Sequence, residues 1–213
     1  MLTGARMGQK LHWDQVYEGK GDDDLSWHQA EPSTSLDLMR EAGVTTASSV
    51  IDIGGGSSRL VDRLLSHGLS DVSVLDLSDA ALNAARQRLG GDADRVTWIT
   101  ADITTWTNAR RFDLWHDRAV FHFLTDPADR AAYIARLSDS LTARGHAIIA
   151  TFAPDGPTQC SGLPVTRYSP EQLADTLGKD FALIEQRYEI HQTPWGSDQS
   201  FQYSLLRKAV PHP

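Results

Sequence analysis

The stretch Asp52-Ile53-Gly54-Gly55-Gly56-Ser57-Ser58-Arg59 decides how this chain is read. Three consecutive glycines let a backbone turn sharply and come close to a ligand, because no Cβ stands in the way. Upstream, Ser49 to Ile53 reads as a strand. Downstream, Leu60, Val61, Leu64 and Leu65 recur at helical spacing until Gly68 stops the helix. A strand, a glycine turn and a helix in that order offer a ligand the unpaired N–H groups of the helix start. A dinucleotide fingerprint needs a third glycine three positions after the second, and after Gly54-x-Gly56 that place holds Arg59. An arginine there would crowd the close packing of helix on strand, so the pattern argues against NAD.

Outward from this loop the chain alternates apolar runs with helical patterns, the rhythm of βαβ units. Val72 to Leu75 reads as a second strand, and Ser78 caps a helix with Leu82, Ala85 and Leu89 on one face, ended by Gly90-Gly91. Val96 to Thr100 and Phe112 to His116 are the third and fourth strands. Thr125-Asp126-Pro127 starts a helix with a stripe of Ile134, Leu137 and Leu141, and Ala147 to Phe152 is strand five. Ser169-Pro170-Glu171-Gln172 has capping-box spacing and predicts a last helix to about Gly178. Phe181 to Tyr188 and Phe201 to Arg207 are β-like with no helix between them, so they are expected to pair antiparallel. The expected fold is an α/β three-layer sandwich: a seven-stranded, mostly parallel sheet with an antiparallel C-terminal strand. One domain would span 1–213, its core over 48–207. Residues 11–43, with Trp13, Tyr17, Trp27, His28 and an amphipathic Leu36 to Met39, form a short N-terminal helical cap over the crevice at the strand ends. Its aromatics are either lid residues or plain packing.

Composition bounds the function. At 213 residues the length suits one α/β domain, and no segment approaches the roughly 18 consecutive apolar residues of a membrane span. Residues 1–10 have no signal-peptide core, which leaves a cytoplasmic location as the expectation. The single Cys160 cannot form an internal disulfide. A formal net charge of −8 opposes binding to nucleic-acid backbones. Eight histidines include no His-Glu-x-x-His, and no cysteine pair exists, so no metal is expected. Oligomeric state is not set by these features.

The loop resembles motif I of the class I methyltransferases, which use S-adenosyl-L-methionine. In that family an acidic residue two positions before the first glycine helps hold the cofactor's methionine ammonium, and Asp52 stands there. The resemblance implies that Gly54, Gly55, Gly56 and Ser57 form the cofactor loop. It implies that Asp76, ending strand two, takes the two ribose hydroxyls, both of which a carboxylate can accept, while Leu77 packs on the adenine. Asp102 would accept from the adenine amino group and Ile103 would stack on the ring. Each acid alone reads more readily as a helix cap or a solvated loop acid. Three acids at three strand ends, with the glycine loop, make the specific signal. The likeness runs from about 48 to 152 and more loosely to both ends, where Trp13 and Trp27 would cover the cofactor.

After strand four, His116-Asp117-Arg118-Ala119-Val120-Phe121-His122-Phe123-Leu124 is expected beside the transferred methyl. A methyl on a sulfonium is already activated, so such an enzyme mainly aligns its acceptor and excludes water. His122 is either a proton acceptor or a packed histidine. Asp117 either faces the ammonium or pairs with Arg118, itself counted with the cofactor. The segment 153–168, with Thr158, Gln159, Cys160, Arg167 and Tyr168, is the expected acceptor-side loop. A small-molecule acceptor, a thiol or a carboxylic acid, is the preferred expectation. Trp13-Asp14-x-x-Tyr17 distantly resembles small protein lysine methyltransferases, which keeps that alternative open. A non-catalytic cofactor-binding regulatory subunit is the more distant one.

Overall fold

In the computed structural model, residues 4–19 and 24–209 are described. Residues 20–23 of the expected cap and the two ends of the expected 1–213 domain lie outside them. Two helices, α1 (Gly4–Glu18) and α2 (Ser33–Glu41), precede β1 (Ser49–Ile53). Next come α3 (Leu60–Ser66), β2 (Asp71–Asp76), α4 (Asp79–Leu89), β3 (Val96–Thr100) and β4 (Phe112–Arg118). α5 (Pro127–Ser140) runs directly into β5 (Leu141–Phe152). A short hairpin, β6 (Gln159–Cys160) with β7 (Leu163–Pro164), separates β5 from α6 (Pro170–Leu177), and β8 (Phe181–Gln192) and β9 (Asp198–Lys208) end the fold.

The helix starts follow from capping chemistry. Ser78 accepts from Ala81 N at 3.2 Å, Asp126 accepts from Ala128 N at 2.7 Å, and Ser169 with Gln172 closes a capping box. Leu141, expected at the end of the α5 stripe, is instead the first residue of β5, and its side chain stays in the same buried cluster.

The seven strands order as β3-β2-β1-β4-β5-β9-β8. From β1 the chain steps outward to β2 and β3, then returns across β1 to β4. The strand order therefore reverses between β1 and β4, and a crevice opens beyond their carboxyl ends. Strands β1 to β5 pair parallel, and β9 pairs antiparallel with both β5 and β8. The last strand thus inserts inside the edge instead of forming it. Burial explains the choice: Phe201 to Leu206 are all buried, whereas β8 alternates with exposed residues and suits an edge. One face is packed by Leu38 and Met39 of α2, Leu60 to Leu65 of α3 and Leu82 of α4. The other is packed by Tyr133 and Leu137 of α5 and Leu173 and Leu177 of α6. Among the described residues no helix is long and apolar enough to cross a membrane.

Candidate cofactor and acceptor site

The glycine turn is folded against β2: Gly54 N and Gly55 N both donate to Leu75 O, at 2.7 and 3.3 Å. Gly54 has φ +66°, and a Cβ there would stand 2.1 Å from Val120 Cγ2. Gly56 has φ +43°, and a Cβ would come within 2.7 Å of the Tyr17 hydroxyl and 3.0 Å of Asp76 Oδ2. Both the backbone conformation and the space therefore demand glycine at these two places. Arg88 of α4 clamps the loop's exit, donating to Ser57 O at 2.9 Å and Ser58 O at 2.8 Å while pairing with Asp62 at 2.8 Å. Arg59 itself sits at the N-cap of α3.

Beyond the strand ends a cavity has three walls. Gly54, Asp76, Leu77, Asp102 and Ile103 form one, Trp13, Tyr17 and Trp27 the second, and Arg118, Phe123, Cys160, Leu163, Gln199 and Phe201 the third. Asp76 is buried, and its Oδ1 accepts from Ser78 N at 2.8 Å. Burial first, and the charge of Asp52 second among the raising causes, push its carboxyl up to about 7, against the pull of backbone N–H donors. Asp102 Oδ1 accepts from Thr104 N at 2.8 Å and from Thr104 Oγ1 at 2.6 Å, which closes the turn after β3. An adjoining cavity is lined by Asp52, Gly54, Gly55, Ser57, His116, Trp27 and Arg118. There Asp52 Oδ1 lies 2.7 Å from His116 Nδ1, and His116 Nε2 lies 2.9 Å from Ser35 Oγ. This relay joins the loop to β4 and α2.

Trp13 and Trp27 pack edge to face at 5.7 Å, Trp13 meets Phe123 at 5.2 Å, and both indoles line the cavity. Packing and covering are therefore done by the same rings. Asp14 holds α1 in place, accepting from Ser78 Oγ at 2.7 Å and from Lys10 Nζ at 2.6 Å.

Two sequence expectations need correction. Asp117 neither faces the cavity nor pairs with Arg118. Its oxygens accept from Val120 N at 2.8 Å, from Phe121 N at 3.1 Å and from Tyr133 Oη at 2.6 Å, and Tyr133 in turn accepts from Trp115 Nε1 at 2.8 Å. Burial nonetheless raises its carboxyl to about 6. His122 is fully buried and outside the cavity wall, its ring 4.5 Å from Phe123 and 4.9 Å from Phe152. Burial, with the Arg118 charge behind it, lowers it to about 3, so it is neutral at ordinary pH. Gly56 also lines neither cavity and acts through the close approach of Tyr17 and Asp76.

Sequence reasoning missed Arg88, Gln199 and Phe201 as site residues, and it gave His116 no role of its own within the stretch after strand four. Only Arg88 left a trace, as one of two arginines in the last turn of its helix. Ala119 was equally invisible: it lines the cavity with φ +73°, a left-handed conformation unusual for a residue with a Cβ.

Side by side, Asp76-Leu77 and Asp102-Ile103 pair an acid with an apolar surface, beside a glycine cradle that a Cβ would fill. That donor set fits a nucleoside with an amino-acid end toward Asp52. Fold and crevice together have the form of a class I S-adenosylmethionine-dependent methyltransferase domain. Residues 50–145 match the family described as a methyltransferase domain. A trans-aconitate 2-methyltransferase of Rhizobium rhizogenes is 31% identical over 60% of this chain and 46% of its own length. The chain thus spans about half the length of that relative. An EEF1A lysine methyltransferase 2 of Mus musculus is 23% identical over 85% of this chain and 75% of its own. Among solved structures, 1,6-didemethyltoxoflavin-N1-methyltransferase of Burkholderia thailandensis, with S-adenosylhomocysteine bound, superposes at a TM-score of 0.75. It is 22% identical and covers 98% of this chain and 92% of its own, a likeness of fold.

Proposed function

We propose that the chain, a single domain capped by residues 11–43, transfers a methyl group from S-adenosylmethionine to a carboxylate oxygen of a small molecule. One observation carries this reading. Among the described residues, the titratable groups that line the main cavity are Tyr17, Asp76, Asp102, Arg118 and Cys160. Burial raises the Cys160 thiol to about 11, so it is protonated at neutral pH. Among the described residues, the acceptor half therefore holds no group poised to take a proton from an ammonium or a thiol. A carboxylate, with its ordinary pKa near ~4, needs no base.

The cofactor supplies a methyl group activated on a sulfonium. Asp76 and Asp102 bind and orient its nucleoside, Leu77 and Ile103 flank the base, and the Asp52–His116 pair with the Gly54–Ser57 loop receives the amino-acid end. Trp13, Trp27 and Phe123 exclude water. Trans-aconitate, in the name of the Rhizobium relative, is a carboxylate, which supports the same acceptor chemistry. A second reading, lysine N-methylation, is favoured by the greater share of this chain that the Mus musculus relative covers.

Incubation with methyl-labelled cofactor, a panel of polycarboxylates that includes trans-aconitate, and lysine-rich protein separates the two. Carboxylate transfer gives a methyl ester that mild alkali releases as volatile methanol. Alkali-stable label on lysine would overturn the carboxylate reading.

A further inference from the structure

Among the described residues, the cation at the end of β4 has no anion. Arg118 Nε donates to Tyr203 Oη at 3.0 Å, Nη1 donates to Trp27 O at 2.8 Å, and Cζ stands 4.5 Å over the Phe201 ring. Nη2 is buried without a hydrogen-bond partner, and among the described residues no carboxylate forms an ion pair with this arginine. Glu189 is held by Gln29 and Thr34 and reaches the guanidinium only through the Tyr203 hydroxyl. A guanidinium packed on aromatic rings with donors left over is costly unless an anion completes it. It also presents a planar fork shaped for a carboxylate.

Its companions say which end of the crevice it serves. Cys160, Leu163, Gln199 and Phe201 come from the segment after β5 and from β9, across the β1/β4 switch from Asp76 and Asp102. The neighbouring histidines do not add competing charge: burial first and Arg118 second depress both His122 and His191.

We propose that Arg118 is the residue that selects the acceptor: its guanidinium binds a carboxylate other than the one that reacts, so the substrate carries at least two. This rests on the carboxylate reading above. An oxygen held by a guanidinium is a poor nucleophile, and the reacting oxygen therefore belongs to a second, free carboxylate. A lone pair of that oxygen forms the new O–C bond as the C–S bond breaks with its electron pair passing to sulfur. No proton moves, in keeping with the absence of a base in the acceptor wall among the described residues.

Arg118 also borders the cavity of Asp52 and the glycine loop, so the cofactor's own carboxylate is the rival source of the anion. Calorimetry distinguishes them. Wild type, Arg118→Gln and Arg118→Lys are titrated with S-adenosylhomocysteine. The product-loaded proteins are then titrated with succinate, glutarate and tricarballylate. The expected result is S-adenosylhomocysteine affinity unchanged within about twofold, and carboxylate affinity at least about 20-fold weaker in Arg118→Gln, the loss of charge-assisted hydrogen bonds. Arg118→Lys keeps the charge without the fork and should lie between; it carries the test if Arg118→Gln does not fold. A matching loss of S-adenosylhomocysteine affinity in the variants would assign the site to the cofactor and overturn the proposal. So would failure of all three acids to bind loaded wild type. Wild type that binds no S-adenosylhomocysteine would instead sink the donor reading itself.

Discussion

Asp76 should make cofactor binding depend on pH in a calculable way. Its carboxyl is raised from 3.8 to about 7, chiefly by burial. Ribose hydroxyls donate to a carboxylate and gain less from a carboxylic acid, so binding selects the ionised form. With a pKa of about 7, roughly 9% is ionised at pH 6 and roughly 91% at pH 8, a tenfold difference, or about 1.4 kcal/mol in apparent affinity. Calorimetric titration with S-adenosylhomocysteine from pH 5.5 to 8.5 should show affinity rising about 30-fold in all, steeply below pH 7 and levelling above it. Asp76→Asn cannot ionise; it should bind weakly at every pH and show no slope. The unliganded protein should respond in the opposite sense. Between 3.8 and about 7 the folded state holds this proton and the unfolded state does not, so the unfolded chain binds fewer protons and stability falls as pH rises. The penalty is complete above about 7 and absent below 3.8. Asp76→Asn should accordingly melt higher than wild type at pH 8 without ligand. A flat wild-type profile, or a slope that survives in Asp76→Asn, would refute this reasoning.

Other expectations follow from the same geometry. Asp117→Ala removes the acceptor of two backbone N–H groups and the Tyr133 hydroxyl, and should cost about 3 kcal/mol in urea unfolding. Its folded fraction should bind S-adenosylhomocysteine as wild type does, and a selective loss of binding would return Asp117 to the cofactor. His122→Phe should keep kcat within about threefold with an unchanged pH profile, whereas a general base would lose about 100-fold or more.

The donor half of the site was legible because it is written locally. Asp52 and Asp76 lie among the last residues of β1 and β2, and Asp102 just beyond β3, so the parallel strands themselves bring all three to the same sheet end. The strands themselves were read to within a residue where apolar runs have clear limits, as in β1 and β3. β4 runs two residues past the expected His116, because Asp117 and Arg118 look like a polar stop. Val120, Phe121 and Tyr133 satisfy Asp117, while Trp27 and Tyr203 take two of the Arg118 donors, and no local pattern announces those partners. The turn Phe121–Phe123 sends Phe123 into the cavity and His122 toward β5, a rotation that periodicity cannot assign over three residues. The acceptor half fails to read for a stronger reason. Arg118 meets Tyr203 across 85 residues and Trp27 across 91, and His116 meets Ser35 across 81. β9 must insert between β5 and β8 before Gln199 and Phe201 can face the β4 end at all. Donor recognition is therefore a property of short segments, and acceptor recognition a property of the closed sheet. Relatives that share the glycine loop and the acids can consequently differ in acceptor through β9, the cap and the segment after β5 alone.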